Sequence, residues 1–170
     1  MRISKRVPLT VVVAALAALI GALAVGALSA LGSGHGHGKP LVREALAPSV
    51  PTDPVFHGVA AGGAPWVLKE GSVTISGHRL DLRVKGLVIP VAPGNGTPGP
   101  VTTISASLFC GADTDTMAAA TTGQVPISRD GDARIRDDSF DVPPSCLAPV
   151  ILVNPNGLAN LYIAVDGWKM

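Results

Sequence analysis

The stretch from His78 to Lys85 constrains the fold of this chain most, because hydrophobic and charged residues alternate along it without a break. Its apolar residues fall on one side of an extended chain and its charged residues on the other: Leu80, Leu82 and Val84 against Arg79, Asp81, Arg83 and Lys85. A period of two is typical of a half-buried β-strand, whereas a helix would scatter these residues around its circumference. The stretch therefore predicts a strand with one face in a hydrophobic core.

The same pattern recurs along the rest of the chain, between turns rich in Gly, Pro and Asn. The residues predicted to face inward are Val73 and Ile75, then Ile104, Ala106, Leu108 and Cys110, then Phe140 and Val142, and finally Leu161, Ile163 and Val165. Tyr162 and Asp166 are predicted to face outward. The continuous apolar run Val150–Val153 indicates a central strand covered on both faces. About seven short strands result, which predicts an all-β fold, a small antiparallel β-sandwich.

The N-terminus carries a different signal. Residues 1–6 include three basic side chains, and the run from Val7 to Leu31 has no charge at all. A basic start followed by an apolar run is typical of a secretory signal peptide, but a run of this length can also stay in the bilayer as an anchor. Residues 1–31 are therefore predicted to be a helix that is either a cleaved signal or a membrane anchor. Both alternatives export the rest of the chain, which is secreted or anchored on the outer face of the cytoplasmic membrane.

Glycine and proline dominate the segment that follows. Residues 32–64 contain them so densely that no run is long enough to bury a face, which predicts a flexible tether. A short helical turn is expected over Leu41–Ala47. The sandwich domain is predicted to occupy residues 65–170, a length sufficient for one hydrophobic core.

The two cysteines, Cys110 and Cys146, are expected to be oxidised outside the cytoplasm. With only two cysteines a single intramolecular pairing is possible. It closes a loop of about 37 residues, worth up to roughly 3–4 kcal/mol in the chain-entropy model. Neither cysteine is then available as a nucleophile or as a metal ligand.

The charge of the chain gives no reason to expect nucleic acid or anionic lipid as a partner. The formal net charge is +1. Without residues 1–30, which hold three basic and no acidic side chains, ten basic and twelve acidic residues remain and the charge becomes −2. A nearly neutral domain lacks the basic footprint of such binders. Contact with a membrane is expected only through residues 1–31, if they are retained.

The carboxylates Asp113 and Asp115, just after Cys110, are the candidates for a cation site, because hard cations favour clustered oxygen ligands. The spacing of an EF-hand is absent, and the alternative is a pair of polar turn residues. His35 and His37 lie in the tether, where a Gly-rich segment offers no fixed geometry for a metal. No cofactor is predicted.

Catalytic motifs are equally sparse. The chain has no G-x-S-x-G elbow of a serine hydrolase, and its two glutamates, Glu44 and Glu70, lie far apart in sequence. Trp66 and Trp168 are expected to cover the two ends of the core. The sequence predicts a non-catalytic exported module that binds or supports an unknown partner in the envelope or the medium. The alternative is a small secreted hydrolase or metal-dependent enzyme.

Three segments carry a resemblance: the seven residues from Val84, the eight from Ser105 and the eleven from Leu147. Together they resemble uncharacterised secreted proteins of actinobacteria. This resemblance implies export, and it adds nothing about activity. The order of strands is also similar to that of the CHRD domain, an extracellular β-sandwich. That family tends to carry a His-x-His near its second strand, where this chain reads Thr102-Thr-Ile-Ser-Ala106. The resemblance therefore implies no metal or ligand role for this stretch.

Overall fold

The structure, a computed structural model, describes residues 39–167. Within this range eleven β-strands follow one another and no helix occurs, so none is present there that is long and apolar enough to cross a bilayer. The strands are β1 (Val42–Pro48), β2 (Ala60–Ala61), β3 (Glu70–Ser76), β4 (Arg79–Lys85), β5 (Thr103–Phe109), β6 (Ala120–Thr121), β7 (Val125–Pro126), β8 (Ala133–Asp137), β9 (Val150–Pro155), β10 (Leu161–Tyr162) and β11 (Ala164–Asp166). The all-β prediction is confirmed for this part of the chain. The predicted helix of residues 1–31 and the first tether residues, 32–38, lie outside it.

Eight strands form one curled antiparallel sheet in the order β6-β5-β9-β11-β1-β3-β4-β8, and β7 also pairs with β5. Strands β2 and β10 form a separate short parallel pair. Side chains from both ends of the sheet meet in one hydrophobic core, so the sheet folds into two sandwich-like layers. We call β3, β4 and β8 the first layer, and β5, β6, β7, β9 and β11 the second. The described strands outnumber the predicted seven because several have two residues, too few to show an alternation.

The hairpin between β3 and β4 shows how local chemistry sets the register. Gly77 and His78 form a two-residue turn, and the last pair before it joins Ser76 to Arg79. Gly77 has a φ of 57°, the left-handed conformation that glycine adopts without a Cβ clash. A turn of this length fixes which residues lie opposite each other, so the apolar sets of both strands share one face.

Strand β1 belongs to both layers. Its first half, from Val42 to Ala45, pairs with β3 of the first layer. Its second half, from Leu46 to Pro48, pairs with β11 of the second layer. A strand that exchanges partners midway carries the chain from one layer of a sandwich to the other.

The structure corrects the predicted tether, because β1 and β2 both fall within residues 32–64. The helical turn predicted for Leu41–Ala47 is also wrong. The change of partner along β1 explains the error: Val42 and Leu46 are buried and the three residues between them are exposed. A spacing of four between apolar residues imitates a helix. The folded domain therefore begins with β1, well before the predicted boundary.

The main core confirms the alternation in β4. Leu80 and Leu82 have no exposed surface, and Val84 is 1% exposed. The inward residues of β3, β5 and β8 complete the same cluster. Burial of a leucine contributes about 2 kcal/mol to folding relative to leaving it exposed, so these residues dominate the stability of the first layer.

A second, smaller cluster covers the outer face of the second layer. It joins Val59 and the ring of Phe56, from the segment before β3, to Phe109, Leu152 and Tyr162 of the layer. Both faces of the second layer are therefore covered. This confirms that the continuous apolar run of β9 is a central strand buried on two sides, and it explains why its alternation is absent.

The last strand departs from the predicted alternation at Ile163. Ile163 and its neighbour Ala164 both pack in the main core, and Val165 points to the second cluster. Two consecutive residues on one face constitute a bulge, which reverses the facing of every residue beyond it. Tyr162, predicted to face outward, has no exposed surface. Tyr162 and Ile163 point to opposite faces, as predicted. The second cluster covers the face on which Tyr162 lies, so that this face is not solvated.

Candidate functional site

The two cysteines form the predicted disulfide. Cys110 and Cys146 are joined with their Cα atoms 4.9 Å apart, and both pack against the main core. The amide of Gly111 donates a hydrogen bond of 2.7 Å to the carbonyl of Leu147 beside the bond. The link ties the end of β5 to the segment before β9. It leaves no free cysteine in residues 39–167.

The carboxylates predicted as cation ligands lie next to a buried histidine. Asp113 accepts a hydrogen bond of 2.6 Å from the amide of His57, and His57 Nδ1 lies 2.9 Å from the carbonyl oxygen of Asp115. The imidazole stacks on Phe109 with ring centroids 4.9 Å apart. His57 has a φ of 50° and is 3% exposed. These contacts hold the segment between β1 and β2 against the second layer.

No group of three or more His, Cys, Asp or Glu side chains suited to a metal ion occurs in the described part of the chain. His35 and His37 lie outside that part. Asp113 contacts His57 through its carboxylate, and Asp115 does so through its backbone carbonyl.

Two other titratable groups lie in the second layer, where Tyr162 is buried and Asp166 is partly buried. Burial raises the pKa of Tyr162 to about 12, with the charge of Asp53 adding to the effect, and its hydroxyl donates a hydrogen bond of 2.8 Å to the carbonyl of Pro54. Burial likewise raises the pKa of Asp166 to about 6. The carboxylate of Asp166 accepts a hydrogen bond of 2.8 Å from the amide of Ile151. Both groups secure strands and loops to each other.

The outer face of the first layer is charged and solvated. Arg134 donates hydrogen bonds to Asp81 and thereby lowers the pKa of that carboxyl, and Arg136 lies 3.5 Å from the same group. Lys85 donates a hydrogen bond of 2.7 Å to Glu70, whose pKa it lowers. Exposed pairs of this kind are screened by water and contribute little to folding. This face of the sheet is therefore exposed to solvent.

A cleft of about 360 Å³ lies where three loops converge. One loop follows β2, the second joins β4 to β5, and the third joins β9 to β10. The walls include two glycines, one tryptophan and three prolines: Gly62, Gly63, Trp66, Pro93, Pro100 and Pro155. None of the described residues that line the cleft is charged. Two wider depressions of about 530 Å³ are more open and each includes a basic side chain, Arg129 in one and Lys39 in the other.

Hydrogen bonds fix the loops around the cleft. The amide of Gly62 donates to the carbonyl of Tyr162 over 2.8 Å, and the amide of Trp66 donates to the carbonyl of Ser49 over 2.9 Å. On the opposite side, Asn156 Oδ1 accepts a hydrogen bond of 2.9 Å from the amide of Thr102. Asn156 Nδ2 donates to the carbonyl of Pro100. The cleft is therefore formed before any ligand arrives.

Trp66 supplies the polar group of the cleft. The side chain is in the main core and the residue is 4% exposed, which confirms that it covers part of the core. No described residue accepts a hydrogen bond from Trp66 Nε1, yet every fully enclosed side-chain nitrogen and oxygen in the described region has a partner. Nε1 therefore reaches accessible space, and the space that Trp66 lines is the cleft. A methyl group at Gly62 would lie 3.3 Å from Nε1 and crowd it.

The sequence reasoning missed the cleft, although it identified Trp66 as a core cover. The available signal was the run Gly62-Gly-Ala-Pro-Trp66, which places two residues without side-chain bulk before a large ring. The other walls come from loops far away in sequence. Trp168, the second predicted cover, lies outside the described residues.

The fold and this site define a disulfide-closed all-β domain with a preformed, uncharged cleft. A comparison with protein-family models, with curated proteins and with solved structures found no match to this chain.

Proposed function

We propose that this protein is an exported, non-catalytic module that binds a partner or ligand in the cell envelope or the extracellular medium. The observation that carries the proposal is the cleft around Trp66, which is concave, apolar and held open by its own hydrogen bonds. Ligand sites in proteins commonly combine such an apolar lining with a small number of polar groups. The cleft is of the size that such sites have.

The disulfide supports the exported location. Bonds between cysteines form and persist outside the cytoplasm, where thiols are not kept reduced. The Cys110–Cys146 bond packs against the core of the domain rather than at a reactive surface. We take it as a structural bond that forms after export.

The use of the titratable side chains supports a non-catalytic role. His57, Asp113 and Asp166 each take part in a hydrogen bond that joins separate segments of the fold. A general acid or base must instead face a substrate within hydrogen-bond reach. In the part of the chain that the structure describes, no titratable side chain lines the cleft.

The test begins with expression of the full chain in a host that exports proteins. The culture medium, membranes and cytosol are separated, and the intact mass and alkylation of the thiols are measured. We expect the chain outside the cytosol with a mass lowered by two hydrogen atoms. Recovery from the cytosol with both thiols alkylatable would contradict the exported location.

The same purified protein separates binding from catalysis. A thermal-shift screen against small uncharged compounds is run beside turnover assays with generic ester and glycoside substrates and an elemental analysis for metals. We expect stabilisation by a subset of compounds, since a ligand that binds only the native state raises its stability. Turnover above the substrate blank, or a stoichiometric metal that the turnover requires, would overturn the non-catalytic assignment.

A further inference from the structure

We infer that the cleft binds a small, uncharged and largely apolar molecule that carries an oxygen acceptor, and that this oxygen accepts a hydrogen bond from Trp66 Nε1. The inference rests on the proposed binding function and names the class of ligand for it. It follows from three properties of the cleft: the unpartnered donor, the uncharged lining and the preformed shape.

The donor is the indole N–H of Trp66. The residue is 96% buried, no described residue accepts from its Nε1, and Nε1 reaches the space of the cleft. A ligand that fills the cleft displaces water from this N–H, and leaving the N–H without a partner costs free energy. The ligand must therefore place an oxygen acceptor at the inner wall of the cleft.

The lining selects the rest of the ligand. Walls made of Pro93, Pro100, Pro155 and Leu158 offer apolar surface and, at the prolines, no amide donors. Transfer of a charged group into such surroundings is costly without a counter-charge, and none of the lining residues within 39–167 supplies one. The volume of about 360 Å³, at about 30 Å³ for a water-sized group, holds about a dozen non-hydrogen atoms.

Gly62 leaves the Trp66 donor uncovered. Any side chain at Gly62 would approach Nε1 and the side chain of Ile163, each 3.3 Å from a Cβ at that position. At Gly63, by contrast, a Cβ would meet nothing within 4 Å, so a methyl group there lies clear of Nε1. Gly62 does not have a left-handed φ, so an alanine at this position crowds Nε1 without backbone strain.

The experiment uses three probes of equal size. Acetophenone carries a carbonyl acceptor, cumene has an apolar methyl group in place of the carbonyl oxygen and the same number of non-hydrogen atoms, and benzoate adds a negative charge. Each is titrated into the labelled exported protein, and the indole N–H signals are followed by nitrogen–proton correlation NMR. The chain has two tryptophans, so a Trp168→Phe variant assigns the signal of Trp66.

We expect acetophenone to move the Trp66 indole signal saturably and further than cumene does, because only acetophenone can accept a hydrogen bond from Nε1. Benzoate is expected to bind at least tenfold more weakly than acetophenone. An indole signal that acetophenone and cumene move equally would overturn the role of the donor. A Trp66 signal that no probe moves would overturn the site.

Variants separate the site from the fold. Gly62→Ala places a methyl group 3.3 Å from Nε1 and is expected to weaken acetophenone about tenfold more than cumene, whereas Gly123→Ala should leave both affinities unchanged, because a Cβ at Gly123 meets nothing within 4 Å and that residue does not line the cleft. Trp66→Phe removes the donor and should likewise weaken acetophenone more than cumene, as measured by calorimetry. If Trp66→Phe fails to fold, the Gly62→Ala comparison decides alone. An acetophenone affinity that Gly62→Ala leaves unchanged overturns the inference but leaves the proposed function intact, whereas turnover or a reduced cytosolic chain refutes the function itself.

Discussion

Replacement of Asp166 by asparagine tests the packing at the point where β1 meets the second layer. Asp166 lies opposite Leu46 of β1, and its Oδ1 accepts a hydrogen bond of 2.8 Å from the amide of Ile151. The pKa of this carboxyl rises from its ordinary 3.8 to about 6, chiefly because of burial and with a smaller contribution from the charge of Glu44, while the backbone hydrogen bonds that the carboxyl accepts act in the opposite sense. Asparagine has nearly the same shape and keeps an oxygen for the Ile151 amide. The substitution therefore removes mainly the charge.

The sign of the effect follows from proton binding. Between pH 3.8 and about 6 the folded protein retains a proton on Asp166 that the unfolded chain has already lost. The free energy of unfolding therefore falls as the pH rises through this window. At about 1.36 kcal/mol per pKa unit, the total loss is roughly 3 kcal/mol and is complete above about pH 6. We expect Asp166→Asn to be more stable than the wild type by up to roughly 3 kcal/mol at pH 7, and equal to it below pH 4.

Urea unfolding of both proteins at several pH values between 3.5 and 7 measures this difference. Asp81 and Glu70, whose pKa values are lowered by Arg134 and Lys85, lose stabilisation as the pH falls and act in the opposite sense. They are present in both proteins, so their effect cancels in the difference. A stability difference that does not change with pH would refute the burial of Asp166 and with it the described junction of β1 and β11.

Three further changes test other parts of the fold. Leu82→Ala should lower the free energy of unfolding by roughly 2–4 kcal/mol in urea titrations, because the two neighbouring strands prevent collapse of the cavity that the substitution leaves. A change near zero would mean that the inward face of β4 is misassigned. The matched surface variant Arg83→Ala should stay within about 0.5 kcal/mol of the wild type. Cys146→Ser should lower the free energy of unfolding by about 3 kcal/mol under oxidising conditions and leave it unchanged when both proteins are reduced. An equal loss in both conditions would show that packing, not the disulfide, is responsible. Tyr162→Phe removes the hydrogen bond to Pro54 and should lower the free energy of unfolding by about 1 kcal/mol. Amide hydrogen exchange in residues 53–59 should become faster, and unaltered exchange there would contradict the contact.

The strands that could be predicted are those whose residues keep the same surroundings from end to end. In β4 the residues from Leu80 to Val84 lie between β3 and β8, so one face is core and the other is water along this stretch. Alternation then reports burial directly. The disulfide was predictable for a different reason, since two cysteines allow one pairing.

The parts that escaped prediction are those where surroundings change along the strand. In β1 the partner changes after Ala45, and at Ile163 a bulge reverses the facing of the residues that follow. Neither event leaves a period in the sequence. The cleft escaped because its walls come from loops more than 20 residues apart, which only the folded chain brings together. The sequence identifies Trp66 as a core residue. It does not show whether any other residue accepts a hydrogen bond from the indole N–H, because that depends on the folded surroundings.

The double membership of β1 has a consequence for how the domain comes apart. Removal of this one strand would strip β3 and β11 of a neighbour at the same time and leave each with a bare row of amides and carbonyls. Such rows recruit other chains and favour aggregation. The two layers of the sandwich are therefore joined through β1, near the start of the domain. Loss of this strand exposes an edge in both layers at once, as one cooperative event.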